Sequence, residues 1–131
     1  MTKALLIAGA ALNFLFGLLH IFLGWQIWHA AAPRGTRALM FALNLGGMLL
    51  IFFLAYASAV CRREIMTTRL GRGVLVLAVL LYLSRAVEEV AIFGLSPAIL
   101  VACLLVGGIY TVLLFRMEDR PREMPRAMAA D

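Results

Sequence analysis

Charge is scarce in this chain: 15% of its 131 residues are Asp, Glu, Lys or Arg, while 64% are hydrophobic. A soluble domain of this size has no interior large enough for so much apolar side chain, and the mean hydropathy of +0.98 excludes that class. Cysteine is scarce too. Cys61 and Cys103 are the only two; they fall at opposite depths of the apolar segments, which excludes a disulfide between them. The absence of a CxxC pair excludes thiol–disulfide exchange of the membrane type. Of the two histidines, His29 falls at a membrane surface and leaves His20 without a second inward imidazole, so haem is not expected. No HxxE or ExxH pair shares a helix, so a metal is not expected either, and no cofactor is predicted. There is no internal repeat, and no small-residue cleavage site near the amino terminus, so the first apolar run reads as a retained helix.

What the chain does have is length of apolar sequence. A hydrocarbon layer about 30 Å thick needs roughly 18 or more apolar residues in helical form. Four such runs fit, over about 4–28, 38–60, 73–93 and 98–115. The segments between them are short, which forces neighbouring helices to be antiparallel. The expected fold is therefore all-α: an integral-membrane, antiparallel bundle of four transmembrane helices, one domain over 1–116, with a disordered cytoplasmic tail over 117–131. Pro33 and Gly35 mark the first outer loop, Gly94 to Pro97 a tight outer turn, and an Arg-rich inner loop joins spans two and three.

The net charge of +5 does not point to nucleic acid, because the basic residues stand at the ends of apolar runs and not along a polar face. Nine of the twelve lie on one side: Lys3, then Arg62, Arg63, Arg69 and Arg72, then Arg116, Arg120, Arg122 and Arg126. The other side holds Arg34 and Arg37 alone. The positive-inside rule then puts both termini in the cytoplasm, and makes the lipid bilayer the first partner.

Small residues recur along the helices. Gly9, Asn13, Gly17, His20 and Gly24 form a stripe on span one, Gly46 and Gly47 mark span two, and Gly107 and Gly108 mark span four; all the glycines read as close-packing positions. Trp25, Trp28 and Tyr110 have ordinary interfacial or packing explanations.

The third span is the exception. Ionisable residues within a span cost about 2.5 to 3.5 kcal/mol each near the helix centre, and Arg85, Glu88 and Glu89 all fall here. Arg85 faces Glu88 at i+3 and Glu89 at i+4, so an ion pair within the helix follows, with one acid left over. By depth, His20 and Asn44 converge on the same outer leaflet, and Tyr82 lies one turn from Arg85 with a hydroxyl that needs a partner. These six residues are the candidate site: a ligand-binding pocket of His20, Asn44, Tyr82, Arg85, Glu88 and Glu89, in which Glu88 or Glu89 is the candidate acid or base. The competing reading is a structural polar clamp, with Arg85 tied to His20 or Asn44 and the acids reaching the interface.

The segments Gly17-Leu18-Leu19-His20-Ile21-Phe22-Leu23-Gly24 and Asn44-Leu45-Gly46-Gly47-Met48-Leu49-Leu50, in a short four-span chain, resemble the DoxX-like group of small bacterial membrane proteins. The resemblance covers the first two spans; it implies a four-helix bundle in a bacterial cytoplasmic membrane and puts a quinone-linked redox role in play. The stretch Glu88-Glu89-Val90-Ala91-Ile92-Phe93 is similar to the acidic pair of small membrane lycopene cyclases, although Ala86-Val87 stands where those proteins have a proline before the pair. Three functions follow as expectations. The first is a pocket that binds or transports a lipophilic or amphipathic small molecule. The second is an isomerase or cyclase with a buried glutamate as general acid, and the third an accessory subunit without chemistry. A homo-oligomer fits any of them.

Overall fold

The computed structural model describes residues 2–92 and 96–118. Among them all regular structure is helical: α1 (Thr2–His29), α2 (Arg34–Val60), α3 (Arg62–Thr67), α4 (Arg69–Ala91) and α5 (Pro97–Glu118). Three helices, α1, α2 and the Pro97–Met117 stretch of α5, are long and apolar enough to cross a membrane. α4 is not one of the three. It is the least apolar of the long helices, opened by Arg69 and Arg72 and closed by Arg85, Glu88 and Glu89 in its last two turns. The expected turn at Gly94 and Leu95 and most of the expected tail, 119–131, lie outside the described residues.

Each helix stops where its sequence stops supporting it. Pro33 has an extended backbone (φ −53°, ψ 142°) that ends the link from α1, and its carbonyl accepts the first bond of α2 from the Arg37 N–H at 3.0 Å. The Arg-rich segment expected as a loop contains α3 instead. Cys61 closes α2 through its N–H to Ala57 O and opens α3 by accepting from the Ile65 N–H, both at 2.9 Å, so a single residue makes the bend. Thr68 makes the next one: its hydroxyl donates to Glu64 O at 2.8 Å and accepts from the Gly71 N–H at 2.9 Å, ending α3 and capping α4. Gly71 has to be glycine there, because a Cβ would run into the backbone of Ile65.

α1 packs chiefly on α2, and α4 chiefly on α5. The long helices are thus two antiparallel hairpins, joined side by side along α1 and α5. Glycine sets the separation at the seams, since a Cβ on Gly9 would stand 3.1 Å from the Tyr110 hydroxyl and one on Gly17 2.6 Å from the Phe52 ring. Gly46 and Gly108 meet nothing within 4 Å, so the packing explanation does not extend to them. The core is weighted toward α3. Every buried residue of α2 lies at Ile51 or later, and Ile65 and Met66 of α3 join Leu6, Leu54, Leu75, Val106 and Leu113 in one cluster.

Candidate functional site

Polar side chains gather at three places. The first is the seam of α1 and α2. Asn44 Nδ2 donates to the carbonyl of His20 at 2.9 Å, which fixes the amide so that its Oδ1 faces His20 Nδ1, also at 2.9 Å. An acceptor there requires the proton on Nδ1, so the neutral ring keeps Nε2 as its acceptor. The approach depends on small residues: Gly24 lies against Asn44 and Gly47 against the His20 ring. A groove of about 360 Å³ opens beside this pair, lined by His20, Gly24, Trp25, Trp28, Phe41 and Met48 together with Ile21, Asn44 and Leu45. Its surface is almost wholly apolar. Trp28 meets Phe41 edge to face with ring centres 5.8 Å apart, so aromatic rings from both helices form its wall.

The second place is the interior. Asn13 is fully buried on α1, and its Nδ2 donates to Gly9 O at 2.7 Å and to the Tyr110 hydroxyl at 2.6 Å. Its Oδ1 accepts from the Tyr82 hydroxyl at 2.7 Å, and Tyr110 shares a further bond of 2.8 Å with Ser58 Oγ. One residue from each of α1, α2, α4 and α5 thus enters a single network, and every hydroxyl in it has a partner.

The third lies where α4 meets α5. Arg85 Nη2 stands 2.7 Å from Glu89 Oε2, and Glu89 Oε1 accepts the backbone N–H of Ser96 at 3.0 Å, just ahead of α5. The Glu89 side chain is 3% exposed. Of the two acids within reach of Arg85, the i+4 residue is the buried partner and Glu88 is exposed. Cys103 of α5 is buried, and neither cysteine forms a disulfide.

Of the six residues expected to share one pocket, five are thus distributed over the three places and Glu88 belongs to none of them. His20 and Asn44 bond each other and line the groove, Tyr82 belongs to the interior network, Arg85 and Glu89 form the α4–α5 tie, and Glu88 is outside the groove lining. The network's other members escaped sequence reasoning. In the sequence Asn13 fits a glycine stripe, Tyr110 fits ordinary packing and Ser58 carries no signal; what points to the network is a carboxamide at a stripe position, where only shape is required. Among the described residues no cluster of three or more His, Cys, Asp or Glu is placed to hold a metal. Comparison with known protein families, curated proteins and solved structures finds no match to this chain. The DoxX-like and cyclase-like resemblances rest on the quoted segments alone.

Proposed function

We propose that the chain spans a bacterial cytoplasmic membrane four times, with both termini inside, and takes a lipophilic or amphipathic small molecule from the bilayer into the groove between α1 and α2. The observation that carries this reading is the groove itself: about 360 Å³, apolar, walled by aromatic rings, with the His20–Asn44 pair at its side. An acyl or isoprenoid chain suits such a surface, and His20 Nε2 supplies one acceptor for a hydroxyl carried by it. For the fourth crossing, α4 has 23 residues, about 34 Å at the helical rise. Its outer charges are partly neutralised by the Arg85–Glu89 pair.

Binding without turnover is the favoured class because Glu89 is engaged in structure: Oε1 accepts the Ser96 N–H and Oε2 faces Arg85, so protonating it for use as a general acid would give up the ion pair. Glu88 remains the acid to test for exchange of protons with a bound molecule.

The assay is built into the groove, since Trp25 and Trp28 are the only tryptophans and both line it. Dibromostearate added to protein in nanodiscs should quench their fluorescence saturably, and the Ile21→Phe/Leu45→Phe variant should lose the saturable part. Quenching that only tracks bulk quencher, equal in both proteins, would refute the groove as a site.

A further inference from the structure

The groove beside His20 offers polar atoms but no charge: among the described residues that line it, none is Asp, Glu, Lys or Arg. Its two polar side chains are not equally available. Asn44 is committed, since its Nδ2 donates to His20 O and its Oδ1 accepts from His20 Nδ1. That leaves Nε2 of the half-buried His20 ring, to which no described residue donates. Turning the ring to hide Nε2 would break the bond to Asn44, and Gly47 packs against its Cε1 edge.

Depth makes that acceptor consequential. On the proposed topology Lys3 and Arg62 mark the inner edge of the hydrocarbon. A layer of about 30 Å takes about 20 helical residues, which brings the outer edge close to Leu23 on α1 and Ala42 on α2. The two counts agree, because Gly24 and Phe41 are neighbours across the seam. His20 then lies about 5 Å below the edge, where water does not serve its acceptor. A carboxylate, phosphate or ammonium drawn down to it would be desolvated without a counter-ion. A bare hydrocarbon would leave Nε2 without a donor, and an ether or ester oxygen has no proton to give. A hydroxyl meets both conditions, being uncharged and a donor.

We propose that the groove selects uncharged lipophilic alcohols, whose hydroxyl donates to His20 Nε2 just below the outer hydrocarbon edge while the apolar body lies along the rest of the groove. This selectivity rests on the α1–α2 groove being the binding site and adds the class of molecule that it prefers. A fatty acid enters chain-first, with its carboxylate left among the headgroups, and so gains nothing from His20.

The test is competition against the saturable quenching of Trp25 and Trp28 by dibromostearate, with the full chain in nanodiscs. Dodecanol, dodecyl methyl ether and dodecanoate are compared at equal mole fraction in the membrane. Dodecanol should compete about fivefold better than the ether, the return of one neutral hydrogen bond, and about tenfold or more better than dodecanoate. In His20→Phe, which keeps a flat ring and loses the acceptor, quenching should stay saturable while dodecanol competes no better than the ether. Should that variant fail to fold, the ranking on wild type decides by itself. Equal competition by dodecanol and the ether, equal competition by dodecanol and dodecanoate, or an alcohol preference that survives in His20→Phe would each overturn the proposal and leave the groove standing as a site. Absence of saturable quenching in wild type would remove the groove and the alcohol together.

Discussion

Asn13 is fully buried, and its amide nitrogen and oxygen both have partners. Replacing it by leucine removes two interhelical bonds and leaves the Tyr82 hydroxyl in an apolar interior. Interhelical bonds in membranes return less than their geometry suggests, about 0.6 kcal/mol on average, because the unfolded chain also finds partners. An orphaned buried hydroxyl adds its desolvation cost of about 1–3 kcal/mol. Asn13→Leu should therefore lower stability by about 2–4 kcal/mol in SDS titration of micellar protein, and Ser58→Ala, which spares both Asn13 bonds, by less than about 1 kcal/mol. If the two variants unfold alike, the network is not centred on Asn13. This cluster was nearly illegible beforehand. Helical periodicity identifies neighbours three and four residues apart, whereas Asn13 and Tyr110 are separated by 97 residues. The presence of Arg85 opposite two acids was legible, since spacing alone brings them together. Which acid it holds was not, because that choice depends on the side of α4 covered by α5.

Among elements, α4 departs furthest from what its sequence alone implies, because its charged end ties it to the start of α5 through Glu89. Removing one member of a fully buried ion pair costs about 3–5 kcal/mol, whereas replacing both by apolar residues is often near neutral; here only Glu89 is buried and Arg85 is partly exposed, which lowers the cost. Glu89→Leu should therefore destabilise the protein by less than that range, Arg85→Leu/Glu89→Leu should recover most of the loss, and Glu88→Gln should change stability little. Thermal unfolding in micelles with each variant checks this. Failure of the double variant to recover would mean that Arg85 and Glu89 do more than neutralise each other. The helical character of all four apolar runs could be read directly from their length. α3 could not, since its Arg-rich sequence has no apolar period and its two anchors, Ile65 and Met66, gain meaning only against the core of the other helices.

For the whole molecule, the native cysteines report orientation. Cys61 is half-buried at the joint of α2 and α3, the end expected in the cytoplasm, while Cys103 is buried. A membrane-impermeant maleimide should leave intact spheroplasts unlabelled and modify Cys61→Ser less than wild type once the membrane is permeabilised. Labelling of wild type but not Cys61→Ser in intact spheroplasts would invert the topology. The charge pattern that predicts this orientation is a property of the entire chain, which is why it was visible without any contact being known.

The interior network also has a consequence for the order of assembly. Its partners come from both hairpins, and α5 leaves the ribosome last. If the chain inserts as proposed, Asn13 is until then a carboxamide in hydrocarbon, but the Gly9 carbonyl, one turn away on the same helix, is available to its amide from the moment α1 forms. On the proposed membrane arrangement the first hairpin carries that bond before α5 is present, and the arrival of Tyr110 closes the network, so the contact between the two hairpins is where the buried polar groups of all four long helices become satisfied together.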